Sequence, residues 1–252
     1  MPQDLETGNF PERVHIAPVG FEIDRVVLPF LRMKGERIHL IVRRDSNERG
    51  INCVESIKKD LEEARKPYEV HQIELDLFKI IYECRKIIEE ELKAANHIFV
   101  NISSGGSIQG VACHFATLTF KKDVVAYYAY PARYIEFVDS KRPQNSAGLD
   151  RIEIVPHYSI DLPSNEEIRF LVLLAKSSPL KKSEVLKECL ENGLISTRGR
   201  SKPYGHVVLE NRFIRPLESK ELLVVEGRGR SSRVRLTEKG RNTLLLNGHT
   251  VA

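Results

Sequence analysis

Val100-Asn101-Ile102-Ser103-Ser104-Gly105-Gly106-Ser107 stands between an apolar run, His97 to Ile102, and an apolar helical pattern, Ile108 to Phe120. Small hydroxyl and glycine residues at a strand-to-helix crossing leave backbone N–H groups uncovered, and a helix N-terminus carries partial positive charge. The turn therefore reads as a seat for a phosphate or another anion. A glycine pair also serves a plain tight corner. Four polar neighbours, Asn101, Ser103, Ser104 and Ser107, exceed what a corner requires and favour a ligand.

Outward from this turn, short apolar runs alternate with amphipathic ones. Val14 to Val19, Arg37 to Val42, Tyr68 to Leu75, His97 to Ile102 and Val124 to Tyr128 read as strands. Asp24 to Met33, Glu48 to Arg65, Leu77 to Ala95 and Ile108 to Phe120 read as helices, with apolar residues three and four apart. Asp24 is a candidate N-cap, and Pro29 has to sit in a first turn or kink its helix. This order predicts βαβ crossovers and a Rossmann-like parallel α/β sheet covered on both faces. Ligands in such sheets bind beyond the carboxyl ends of the strands. Two loops meet that criterion, the one after the first strand (Val19, Gly20, Phe21, Glu22) and Ser103 to Ser107. The candidate ligand-binding residues are accordingly Val19, Gly20, Phe21, Asn101, Ser103, Ser104, Gly105, Gly106 and Ser107.

Pro131 to Asp150 breaks the alternation and reads as a polar loop, between hairpin strands Tyr134 to Val138 and Arg151 to Val155. Leu162-Pro163-Ser164-Asn165 reads as a hinge, with Ser164 or Asn165 capping a new helix. The predicted domains are therefore residues 1–161 and 162–252.

Charge divides the same way. From Leu162 onward there are 17 Lys and Arg against 10 Asp and Glu, a net of +7; the preceding part holds 22 against 25, a net of −3. A basic terminal third on a mildly acidic body implies a polyanion contacted by that third. No apolar run is long enough to cross a bilayer. The polar start, Met1 to Arg13, lacks the basic-then-apolar order of a secretory signal, so a cytoplasmic protein is expected. Cys53, Cys84, Cys113 and Cys189 form no C-x-x-C pair, which argues against a zinc ribbon.

In the basic third, Glu166 to Ser177 and Lys181 to Asn192 read as helices, with Gly193 as a natural stop. Tyr204 to Ser219 is a third, bent by Pro216. Leu222 to Val225 and Arg233 to Leu236 flank the tip Gly227-Arg228-Gly229-Arg230-Ser231-Ser232 as a β-hairpin. Three helices, this hairpin and the closing Leu236-Thr237-Glu238-Lys239-Gly240 resemble the winged helix-turn-helix domains of transcription regulators. The resemblance implies binding to double-stranded DNA. Arg200, Lys202, Tyr204, His206, Asn211, Arg212 and Arg215 would lie on or before a recognition helix, and Arg228, Arg230, Arg233 and Arg235 on the wing. A solvated basic face is the plainer reading; a flexible tip that presents arginines without an acidic neighbour favours DNA.

A Rossmann-like domain, a small-residue turn after its fourth strand and a winged helix, in this order, resemble the CRISPR-associated Rossmann fold (CARF) regulators. Their turn has the form Thr/Ser-Gly-Gly-Thr-Lys; Ser104-Gly105-Gly106-Ser107 matches its first four positions, and Asn101 matches a polar position upstream. The resemblance covers residues 13 to 130. It implies a cyclic oligoadenylate ligand, a role for Val19 to Glu22, and a homodimer formed by the sensor domain. The lysine position of the motif holds Ile108, so it supplies no cation here.

No G-x-G-x-x-G, P-loop, H-E-x-x-H or G-x-S-x-G pattern occurs. His15 and His114 fall in a strand and an apolar helix, where core or sheet-edge roles are expected. No catalytic residue, metal ligand or cofactor is assigned. The sequence reads as a ligand-responsive, DNA-binding transcription regulator that senses a nucleotide-like anion. A metal-free ring nuclease and a ligand-free DNA-binding dimer are the alternatives.

Overall fold

The computed structural model describes residues 10–120, 124–136, 139, 142–157, 163–177, 179–196, 202–227, 229 and 232–249. The chain divides into two compact units, Met1–Ile160 and Asp161–Ala252.

In the first unit, Arg13–Val19 (β1), Asp24–Arg32 (α1), Arg37–Arg43 (β2), Glu48–Glu63 (α2), Tyr68–Ile73 (β3), Leu77–Lys93 (α3), His97–Asn101 (β4), Ser107–Leu118 (α4) and Val124–Ala129 (β5) follow one another. The five strands are parallel, and the sheet runs β3-β2-β1-β4-β5. The order reverses between β1 and β4, so the loops leaving these two strands flank one crevice. The apolar runs explain the placement. Ile16 and Ala17 of β1, Leu40 and Ile41 of β2 and Val100 of β4 are fully buried, as interior parallel strands must be.

Two short strands, Arg133–Tyr134 (β6) and Ser146–Ala147 (β7), form a small ribbon, while Ile152–Ile154 (β8) joins the main sheet antiparallel to β5. The hairpin expected between Tyr134 to Val138 and Arg151 to Val155 is thus replaced by two other pairings; Val138 lies outside the described residues. The reason is the open edge of β5. Its backbone groups pair Tyr127 with Ile154 and Ala129 with Ile152, and Val155 N–H adds a bond to the Ala126 carbonyl.

Capping departs from the sequence reading at α1. Asp24 is the first helical residue and caps nothing. Instead Gln144 Oε1 accepts from Ile23 N–H at 3.1 Å and Asp24 N–H at 2.8 Å. Asp24 meets Arg142 and the Gly148 N–H, each at 2.7 Å. Burial pushes the Asp24 carboxyl up, but these donors outweigh it and hold it below its ordinary value. Pro29 lies inside α1 rather than in its first turn. Its missing N–H frees the Arg25 carbonyl, which accepts from Asn101 Nδ2 at 2.7 Å.

In the second unit, Asn165–Ser177 (α5), Leu180–Lys181 (β9), Lys182–Glu191 (α6) and Lys202–Leu209 (α7) are followed by a π turn at Glu210–Ile214. Arg215–Ser219 (α8), Leu223–Glu226 (β10), Arg233–Leu236 (β11) and Glu238–Leu246 (α9) complete it. Ser164 and Glu167 cap α5 reciprocally, Ser164 Oγ accepting from Glu167 N–H and Glu167 Oε2 from Ser164 N–H. The π turn absorbs Pro216, which cannot donate to the Arg212 carbonyl one turn back; the Arg215 N–H reaches to the Glu210 carbonyl. β10 and β11 form the antiparallel hairpin, with β9 on its other side. The core packs Phe170 on Phe213, rings stacked at 4.8 Å, with Leu171, Leu174, Val185 and Leu217 around them.

No described helix is long and apolar enough to cross a membrane. All four cysteines are buried free thiols.

Candidate functional site

At the carboxyl edge of the sheet, the ends of β1, β2 and β4 surround a cavity of about 260 Å³. That is slightly below the roughly 300–1,000 Å³ of ordinary small-molecule sites. Val19, Gly20, Phe21 and Glu22 form one wall, Gly105, Gly106 and Gln109 a second, and Arg43, Asp45, Ser46, Asn47 and Gly50 a third. Arg25 of α1 and Asn145 complete the lining.

The turn after β4 is locked to its neighbours by its own polar groups. Asn101 is fully buried and its Oδ1 accepts from both the N–H and the Oγ of Ser103. Ser103 Oγ in turn accepts from Ala129 N–H at 3.1 Å. Ser104 Oγ donates to the Pro18 carbonyl at 2.7 Å, and the Ser104 carbonyl accepts from Gly20 N–H. A side chain at Gly105 would meet Pro18 Cβ at 2.7 Å, so the close approach of this turn to β1 requires glycine there.

Among the sequence-derived candidates, Val19, Gly20, Phe21, Gly105 and Gly106 therefore converge on the cavity. Asn101, Ser103 and Ser104 lie beneath it as fasteners, and Ser107 is exposed on the first turn of α4. The Gly106 amide donates to Gln109 Oε1 at 3.0 Å, so the turn itself satisfies one of the N–H groups assigned to an anion.

The sequence reading missed the loop after β2 and Asn145, and on the helices it missed Arg25 and Gln109. Arg25 is 6% exposed. Its Nε donates to the Ala129 carbonyl at 2.9 Å, its Nη1 lies 3.6 Å from Glu22, and its guanidinium stacks on Tyr128. Arg25 Nη2 and Gln109 Nε2 are buried with no hydrogen-bond partner. Unpaired buried donors are costly, and both residues line the cavity. Arg25 thus brings a cation of α1 to the cavity lining, which Ile108 does not join. A sequence signal existed for Gln109, which sits three residues after the helix cap, where a Gln closes a capping box. Nothing in the pattern of α1 marked Arg25.

Glu22 is buried beside Arg25, with Ser146 Oγ donating to its Oε2. Burial raises its carboxyl above the ordinary value, against the opposing pull of Ser146 and Arg25. The segment from Arg142 to Gly148, predicted as a loop, holds this wall. Asn145 N–H bonds the Phe21 carbonyl, and Arg49 stacks on the Phe21 ring and reaches the Pro143 carbonyl.

His15 and His114 lie in a strand and an apolar helix, as the sequence reading has them. His15 is fully buried between Phe30, Phe99 and Tyr127, and burial, with help from Arg13, pushes its imidazole down to about 3. Burial also lowers the half-buried His114.

In the second unit, α6 and α7 supply the helix-turn-helix. Tyr204 and His206 on α7, Asn211 and Arg212 in the π turn and Arg215 on α8 are all exposed. Arg212 pairs with Glu166, and Arg215 lies 3.9 Å from Glu210. On β11, Arg233 and Arg235 share the exposed face while Val234 and Leu236 point to the core. Arg235 pairs with Glu226 across the hairpin at 2.8 Å, an acidic partner that the reading of the wing tip did not include. Such exposed pairs contribute little to stability. Arg200, Arg228, Arg230 and the side chain of Lys202 lie outside the described residues.

Fold and site together define a class: a Rossmann-like sheet with a polar cavity at its switch point in one unit, and a winged helix in the other. Residues 13–134 match the HFX_2341_N-like N-terminal family, and residues 166–248 match the C-terminal winged helix domain of DUF6293 proteins. Rossmann-like first and winged helix second is also the order in the CARF regulators that the sequence resembles. The uncharacterized protein MJ1513 of Methanocaldococcus jannaschii is 26% identical over 189 residues, which cover 65% of this chain and 56% of that protein. The chain thus spans little more than half the length of that relative. Among solved structures, Enterococcus italicus Csm6 bound to cyclic hexa-2'-fluoro-hexa-dAMP aligns with a TM-score of 0.44 and 12% identity, over 84% of this chain and 57% of Csm6. VC1899 from Vibrio cholerae aligns with a TM-score of 0.40 and 11% identity, over 93% and 64%. Can2 from Sulfobacillus thermosulfidooxidans, in complex with cyclic tetra-adenylate, aligns with a TM-score of 0.40 and 12% identity, over 94% and 64%.

Proposed function

We propose that this protein is a DNA-binding regulator whose N-terminal domain senses an anionic, nucleotide-like ligand, with cyclic oligoadenylate as the specific candidate. The observation that carries the reading is the pair of buried, unpartnered donors, Arg25 Nη2 and Gln109 Nε2, on the wall of the cavity at the switch point. They offer a phosphate the charge-assisted hydrogen bonds that the Ile108 position cannot. The winged helix supplies the DNA contact through α7 and the exposed arginines of β11.

A homodimer belongs to the same proposal. Ile108, Val111 and Phe115 lie three and four residues apart on α4 and are between 39% and 46% exposed, an apolar stripe that begins beside the cavity. Packing this stripe against a second copy joins two small cavities into one large enough for a ring. The ligand then acts on DNA binding by favouring one arrangement of the two winged helices.

The test is calorimetric titration with cyclic tetra- and hexa-adenylate, and with a linear oligoadenylate as the control. A cyclic compound is expected to bind, and Arg25→Met to weaken it by about tenfold or more, the usual effect of a lost charged hydrogen bond. Equal affinity in the wild type and in a folded Arg25→Met variant, or no binding by any of these compounds, overturns the reading.

A further inference from the structure

We propose that His39, Glu69 and His71 form a binding site for a divalent transition metal ion, Zn²⁺ before others. The three residues lie on β2 and on β3, the outermost strand of the sheet. Register brings them together. His39 stands opposite Glu69 and Ile41 opposite His71, so all three side chains share the sheet face that α3 covers. One ligand atom from each lies within 4.8 Å of the other two. The proposal is independent of the cavity at the carboxyl edge, none of whose lining residues takes part.

The geometry of the imidazoles carries the inference. His39 Nε2 is 2.9 Å from Glu91 Oε1, and His71 Nδ1 is 3.5 Å from Glu83 Oε1. An ionised carboxylate only accepts, so His39 Nε2 holds its ring proton, and the nearby Glu83 favours a proton on His71 Nδ1. His39 Nδ1 then holds a lone pair and faces His71 Nε2 at 2.9 Å, a hydrogen bond when His71 Nε2 carries the proton and a pair of converging lone pairs when His71 Nδ1 carries it. In the second tautomer both lone pairs are offered to one electron-pair acceptor. With Zn–N bonds of about 2.0–2.1 Å, this separation subtends roughly 90° at the metal, and opening it by about 0.4 Å restores the tetrahedral angle. Glu69 Oε2, 3.7 Å from His39 Nδ1, supplies the third ligand.

The surroundings match those of a metal centre. A carboxylate lies beside the far nitrogen of each imidazole, hydrogen-bonded to His39 and 3.5 Å from His71, an arrangement that raises the basicity of a ligating ring. Arg37 takes the other oxygens of these acids, Glu91 Oε2 at 2.8 Å and Glu69 Oε1 at 3.6 Å, and so turns Glu91 Oε1 and Glu69 Oε2 toward the imidazoles. Glu12, 3.3 Å from Arg37, adds a further carboxylate. Four carboxylates against one guanidinium leave a negative field that a dication offsets. Glu69 is exposed and His71 half-buried, which gives the ion a path from solvent. Two imidazoles and a carboxylate suit Zn²⁺, with one position open. Bound there, the ion ties the edge strand β3 to β2.

The test uses the full-length, untagged protein, freed of metal with a chelator and titrated with Zn²⁺ alone by calorimetry. One equivalent is expected to bind and to raise the thermal unfolding midpoint. His71→Gln and Glu69→Gln, both at solvent-accessible positions of the edge strand, are expected to keep the far-UV circular dichroism of the wild type and to weaken binding by about tenfold or more. No binding by the wild type, or equal affinity in both variants, overturns the site.

Discussion

The turn after β4 and the strand β11 each present a run of polar side chains, and folding treats them in opposite ways. On β11 the arginines stay where the alternating pattern puts them, on the exposed face of a hairpin. In the turn, the hydroxyls and the carboxamide that look ready for a ligand are drawn inward to β1, α1 and β5. The donors left over come from Arg25, which no pattern marks, and Gln109, which the pattern marks only as a cap residue. The difference follows from burial. A buried polar atom without a partner costs about 1–3 kcal/mol, so a strand-to-helix corner inside a sheet domain consumes its own hydrogen-bonding groups. An exposed arginine has water and carries no such obligation.

Three measurements can break or sharpen this contrast. The largest effect is expected in the fold itself, at His15. Its folded-state value of about 3 lies below the ordinary 6.5, so the unfolded chain binds the extra proton first. Stability is complete above pH 6.5 and is lost as pH falls toward 3, at up to about 1.4 kcal/mol per pH unit from this group. Urea unfolding as a function of pH should show that slope, and His15→Gln, less stable at neutral pH, should flatten it. An unchanged slope would free His15 from the core.

Next comes Asn101→Ala, which strands the Arg25 carbonyl and the Ser103 N–H. It should lower stability by about 3 kcal/mol in denaturant titrations, as several buried bonds are lost together. A variant as stable as the wild type would make Asn101 a group held ready for the ligand rather than a fastener.

The smallest effect belongs to the surface. Arg233→Ala should reduce the slope of log affinity for duplex DNA against log salt by about 0.9 for each phosphate that the arginine neutralises, read by fluorescence anisotropy, with no change in stability. A wild-type slope in this variant would remove β11 from the interface.

Much of the fold was legible in the chain. Apolar runs of strand length separated by helices of three- and four-residue periodicity dictate the βαβ series, because each strand must bury both faces and each helix one. The winged hairpin was legible for the same reason, its alternation at Arg233 to Leu236 being a two-residue period. The misreadings cluster where partners are distant in sequence. Gln144, not Asp24, caps α1. The strand at Ile152–Ile154 prefers the open edge of β5 to a local hairpin. At the site, the two loops were found from chain order, yet the selection among their side chains was not.

By itself the sequence determined the two-unit layout, the parallel sheet, the two loops at its carboxyl edge and the basic hairpin, since all of these follow from periodicity, glycine placement and local charge. Tertiary structure alone decided which polar groups remain available. Asn101 and Ser103 meet partners from other strands and helices, Arg25 is brought to the cavity by α1, and His39 meets His71 only through the register of β2 and β3. Hydrogen-bond satisfaction depends on neighbours in space, and no local pattern along the chain encodes them.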